Sequence, residues 1–279
     1  MRIESSSPAL PGIDARQRAA DKSLQSVFAE VLAEAGREGW RSAPPLESEA
    51  PLEDAVTQTW NDWFQVSRGR FDDLPASPSQ LQQDFGSLLV EAREAGAYAA
   101  PQAFLRTLSS ERLETVRHVH RLAAPIQVDG LTEEGALNLL LPPAAQIDLN
   151  FDGLTQSGVG YGIRFPDSRT PPQVAEAWQA ATADLDFGER AVRQLQMKSD
   201  VLLANIHVDA EGRFSHRVEP GDPAFVNPQA APGYSFVQLT QDRLEAIELF
   251  KNQTPPEQHQ RDREFWTAFR RQLLQRGAA

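Results

Sequence analysis

The chain has 279 residues, 41% of them hydrophobic and including 14 Phe and 5 Trp, enough for one large core or two small ones. Its formal net charge of −12 repels phosphate over most of the surface, which argues against nucleic acid and against anionic membrane surfaces as partners. With no Cys, disulfide scaffolds, thiolate zinc sites and cysteine nucleophiles are excluded.

Residues 1–14 are rich in Ser and Pro and read as a disordered tail. They carry acids early and hold no apolar h-region, so they do not resemble a secretory signal peptide. No run in the chain approaches the roughly 18 apolar residues of a membrane span. The expectation is a soluble cytoplasmic protein, or one exported by a route without a cleavable signal peptide.

A first helix is predicted over 15–36, with Leu24, Val27, Phe28, Val31 and Leu32 on one stripe and Gly36 and Gly39 as stops. Segment 41–51, with three Pro, reads as a linker. A lone amphipathic helix in that position either docks on the main body or is offered to a protein partner.

Three later helix starts share one grammar. Ser77-Pro78-Ser79-Gln80, Thr170-Pro171-Pro172-Gln173 and Thr254-Pro255-Pro256-Glu257 place a hydroxyl at the N-cap, Pro at the first helical position and Gln or Glu at the third. Asp186 to Glu189 follows the same logic. Further helices are expected at 52–65, 101–107, 109–122, 131–141 and 240–252. On the first of these, Trp60, Trp63 and Phe64 form a face for core packing.

Beta structure is scarce: a strand over 159–165 and a hairpin around 203–218. Residues 220–234, with four Pro and two Gly, read as a long ordered loop. The fold class is mainly α: a multi-helix globular domain over 52–279 with a small β element.

The most specific stretch is Ile147 to Phe165, IDLNFDGLTQSGVGYGIRF. Asp148, Asn150 and Asp152 alternate, Gly153 permits a sharp turn, Leu154 offers a carbonyl and Gln156 a further oxygen. Calcium takes six to eight oxygens at about 2.3–2.6 Å, and a D-x-N-x-D-G turn supplies them. Over about a dozen residues this resembles the calcium loop of EF-hands, and the resemblance implies Ca2+ held by those five residues.

Two departures restrict it. The position where an EF-hand places a bidentate Glu is Val159, and a strand pattern follows where a helix should. A fixed structural clamp is expected, not a calcium switch, with Asp167, Glu133 or Glu134 completing the shell. An Asx-rich turn that satisfies its own amides without metal is the other reading.

Enzyme signatures are absent: the sequence holds no G-x-S-x-G, no P-loop motif and no His-Glu-x-x-His. His120 falls on an apolar helical stripe and reads as a hydrogen-bonded boundary residue. His207 and His216 flank the hairpin turn. Asp209 and Gly212 favour a four-residue turn with Gly212 left-handed, which would slip the register and turn the two rings to opposite faces. The resulting expectation is a non-catalytic structural or protein-interaction protein with one calcium-type loop. The alternative is a hydrolase working through a carboxylate or His pair. A deep cleft beside 148–156 would favour the hydrolase, and a capped, convex loop the structural role.

Overall fold

The computed structural model describes residues 11–47 and 50–278. The tail expected over 1–14 therefore lies, through residue 10, outside the described residues, as do residues 48 and 49 of the linker. The chain forms two compact units. The first takes in the chain up to Asn150 together with Leu154–Gly162, and the second takes in Phe151–Gly153 and Ile163–Ala279.

The first unit holds α1 (Pro11–Glu34), α2 (Leu52–Ser67), α3 (Pro78–Glu94), α4 (Pro101–Leu105), α5 (Ser110–Val119) and α6 (Glu133–Leu139), then the hairpin β1 (Thr155–Ser157) and β2 (Gly160–Gly162). The 3.6-residue period of α1 puts Leu24, Val27, Phe28, Val31 and Leu32 on one side, and all five are buried. The helix docks on α2, where Trp63 Nε1 donates to Asp21 Oδ1 at 2.7 Å and Ser67 Oγ donates to Gln17 Oε1 at 3.0 Å. Its apolar face is part of this core, so a partner could reach that face only if α1 left the unit.

Trp60, Trp63 and Phe64 are likewise buried, as their spacing predicted. Trp60 stacks on Trp63 with ring centroids 5.6 Å apart and packs on Phe85 of α3 at 5.0 Å.

The second unit holds α7 (Pro172–Ala181), α8 (Phe187–Ala204), the hairpin β3 (Ile206–Val208) and β4 (Phe214–Arg217), α9 (Phe236–Leu249) and α10 (Pro256–Gln275). Its core is aromatic: Trp178 meets Phe165, Phe265 and Phe269 edge-on at 4.9 to 5.8 Å. The fold is thus mainly α with two small antiparallel hairpins, and no helix among the described residues is long and apolar enough to cross a membrane.

The helix starts are a partial success. Asp186 and Glu189 form a reciprocal capping box on α8. The three hydroxyl-Pro starts do not cap through their side chains. In α7 and α10 the first of the two prolines takes the N-cap, which moves Thr170 and Thr254 one residue out. Thr170 Oγ1 instead donates to Asp167 Oδ1 at 2.8 Å.

The expected strand over 159–165 is shorter, and it pairs with β1 across a turn at Gly158, whose φ is +61°.

The second hairpin corrects the expected slip. Gly212 is left-handed and its N–H bonds Asp209 O, as predicted. Val208 pairs with Phe214, however, and His207 pairs with His216. Ser215 is the extra residue of a bulge, and it absorbs the offset before the histidines are reached.

Candidate functional site: a turn clamped by Glu134

Helix α6 organises the 146–158 turn. Thr132 caps it, accepting the Gly135 N–H at 3.0 Å, and its hydroxyl donates to Gln156 Oε1. Because Gly135 occupies the position where a capping-box Glu would stand, Glu134 is left to reach outward. Glu134 and Asn138 are four residues apart and share one helix face. Both are buried.

The Glu134 carboxylate accepts three backbone N–H groups of the turn: Leu149 at 3.0 Å and Asn150 at 3.2 Å on one oxygen, and Gln156 at 2.7 Å on the other. One turn of helix further on, Asn138 Oδ1 accepts the Ile147 N–H at 2.8 Å. Its Nδ2 donates to the Ile147 and Gln156 carbonyls, each at 2.7 Å. Two side chains of one short helix thus satisfy both ends of the turn, where unpaired amides would each be costly.

A further polar cluster backs this contact. Gln146 Nε2 lies 3.1 Å from Asn138 O and 3.0 Å from His120 Nδ1, and it also donates to Ser157 Oγ. His120 Nε2 lies 3.1 Å from Leu139 O, so the tautomer protonated at Nε2 satisfies both ring nitrogens. His120 packs edge-on against Phe85, which makes it the hydrogen-bonded boundary histidine that the stripe implied.

Backbone approach is as tight as the side-chain contacts. Gly158 N–H donates to Gly135 O at 3.0 Å, and a Cβ on Gly135 would run into the Gly158 carbonyl oxygen. Gly135→Ala is expected to destabilise the first unit by about 2–3 kcal/mol, since backbone must move to admit the methyl. A denaturation midpoint within experimental error of the parent's would contradict this.

Burial pushes the Glu134 carboxyl up to about 7. The bonds from the turn amides pull it down, and the charge of Asp148 pushes it further up. The two carboxylates are therefore close enough to feel each other, and Asp148 is 1% exposed.

The five predicted calcium ligands do not share one environment. Asp148, Leu154 and Gln156 are buried in the first unit and Asn150 is exposed there, whereas Asp152 is half-buried and belongs to the second. Gly153 makes the predicted sharp turn at φ +84°. Among the described residues, no three Asp, Glu or His side chains stand together as metal ligands.

Asp167, one candidate to complete the shell, is engaged elsewhere: it pairs with the buried Lys198 at 2.5 Å. Glu133 is mostly exposed and pairs with Arg37. Glu134 is the candidate that reaches the turn. A cavity of about 350 Å³ between α2 and α3, lined by Thr57, Asn61, Gln82 and Ser87 among others, shares no residue with it.

Sequence reasoning had Glu134 as a possible metal ligand and missed its bonds to the turn amides. A usable signal was present. A D-x-N-x-D-G turn aims several N–H groups inward, and such a nest calls for an anion. Comparison with protein-family models, with curated proteins and with solved structures gives no match.

Proposed function

We propose that the chain is a non-catalytic structural or interaction protein in which the 147–157 turn is a fixed clamp, with a calcium-class cation as its charge partner. The observation that carries this is the buried Glu134 carboxylate, whose two oxygens are committed to three turn amides while Asp148 lies within its electrostatic reach. A cation bound by oxygens of the turn would favour the ionised form of the Glu134 carboxyl against the cost of its burial.

Calcium suits hard oxygen donors. Asp148 and Glu134 would supply charge, and Asn150, the Leu154 carbonyl and Gln156 would supply neutral oxygens. With no Glu at position 159, affinity would be weak, on the order of 10⁻⁴ M.

A raised carboxyl beside a second acid also fits a general acid–base pair. Burial of Glu134 to 4% exposure and its engagement by backbone favour the structural role, because no substrate could reach it without opening the turn. The interaction half of the proposal draws on the second unit. There α8 buries Arg193 and Lys198 while exposing Val192, Leu195 and Leu203.

Calorimetric titration of the full chain with calcium at pH 8 tests the metal. One ion per chain is expected for the parent, with binding lost in Asp148→Asn. Equal calcium binding by parent and Asp148→Asn would remove the cation from the account.

A further inference from the structure

The bulge at Ser215 has a chemical consequence. It brings His207 and His216 into direct cross-strand register, with ring centroids 4.5 Å apart and planes within 10° of parallel. Both side chains are exposed, so their ring nitrogens are open to solvent ions.

The charged neighbours on this hairpin are already matched to one another. Arg213 pairs with Asp209 and Glu211, and Arg217 pairs with Glu219. Among the described residues neither imidazole takes part in an ion pair, and the guanidinium charges beside them are offset. Ser215 Oγ lies 3.2 Å from His216 Nδ1. When Nδ1–H donates to that hydroxyl, Nε2 presents its lone pair outward, the usual way a second-shell group sets a metal-binding tautomer.

We propose that His207 and His216 form a two-imidazole site for a borderline divalent transition-metal ion of the zinc, copper or nickel class. Imidazole suits these ions, whereas calcium and magnesium prefer oxygen. Turning the two rings out of parallel about their side-chain torsions would aim both Nε2 atoms at one ion, and neither ring is held by core packing. Two imidazoles leave two positions of a tetrahedral ion for water or for a ligand from another molecule. This site is separate from the Glu134 turn and does not depend on the calcium reading.

The test is a zinc titration of the full chain at pH 7.5, with magnesium as control, followed by calorimetry and by the histidine ring resonances. The parent is expected to bind one zinc, with the His207 and His216 signals shifting together and those of His118 and His259 staying put. His207→Asn and His216→Asn should each weaken binding at least about tenfold, given that even outer-shell losses cost 10–100-fold. Asp148→Asn/Asp152→Asn should bind zinc as the parent does. The proposal is overturned if the His207→Asn/His216→Asn double variant keeps parental affinity. It is also overturned if zinc binds the parent without moving those two signals, or if the Asp148/Asp152 variant is the one that loses it.

Discussion

Glu134→Ala is expected to destabilise the first unit by on the order of 4 kcal/mol. Its removal strands the buried Gln156 amide, at about 1–3 kcal/mol, and leaves the part-buried Leu149 and Asn150 amides without their acceptor at a smaller cost each, partly offset by no longer burying a carboxylate. Glu134→Gln should fall between parent and Ala. Its amide oxygen can serve one side of the turn, but its NH2 group would face an N–H on the other.

The pH dependence has a definite sign. The folded carboxyl titrates near 7, above its ordinary value of 4.5. Its contribution to stability is therefore full below about pH 4.5 and is lost as pH rises through about 7, a span worth roughly 3 kcal/mol. Glu134→Gln should flatten that slope. Calcium, if it binds as proposed, should restore stability above pH 7 and do little below pH 5, where it competes with the proton. Chemical denaturation at pH 5 and pH 8, with and without calcium, reads all of these effects.

Lys198→Ala is expected to cost the second unit a similar amount, about 3–5 kcal/mol, because it leaves the Asp167 carboxylate buried without its counter-charge. Lys198 Nζ also donates to Gln229 Oε1 at 3.0 Å, and Gln229 Nε2 in turn donates to Met197 O at 2.7 Å. The loop over 220–234 is therefore tied to α8 through this ammonium.

Lys198→Met/Asp167→Asn should recover at least half the loss. Asn keeps an oxygen for the Arg169 N–H and the Thr170 hydroxyl, and no buried charge remains. Here the pH sign is reversed. Burial raises the Asp167 carboxyl, but Lys198 together with the bonds from Thr170 and Arg169 holds it below its ordinary value of 3.8. The contribution is present above about pH 4 and is lost on acidification. Thermal unfolding of the single and double variants at pH 7 and pH 3 tests both statements, and an additive double variant would contradict the pairing.

These two sites also show what the sequence can and cannot reveal. Helices announced themselves through local information: the α1 stripe, the Trp60–Trp63–Phe64 face and the Asp186–Glu189 box each lie within a few turns of one helix. The mainly α class followed from them. The turn at 147–157 was visible because D-x-N-x-D-G is local chemistry, and Gly153 turns as that chemistry requires.

Non-local pairing was much harder to read. Glu134 and Gln156 are 22 residues apart, Asp167 and Lys198 are 31 apart, and nothing between them encodes which acid meets an amide and which meets an ammonium. Lys198 was invisible because lysine on a helix is ordinarily solvated, and here its buried neighbours are what make it unusual. The His207–His216 register turned on a single bulged residue, which turn rules alone do not place.

The central claim is that the Glu134 carboxylate, reaching from α6, holds the turn shut. Amide hydrogen exchange in the full chain tests it most directly, comparing the parent with Glu134→Gln and Glu134→Ala at pH 8, above the titration of the carboxyl near 7. The account predicts that Leu149, Asn150 and Gln156 lose protection in the variants while amides in the middle of α2 and α3 retain theirs. Unchanged protection at those three amides in Glu134→Ala would contradict it.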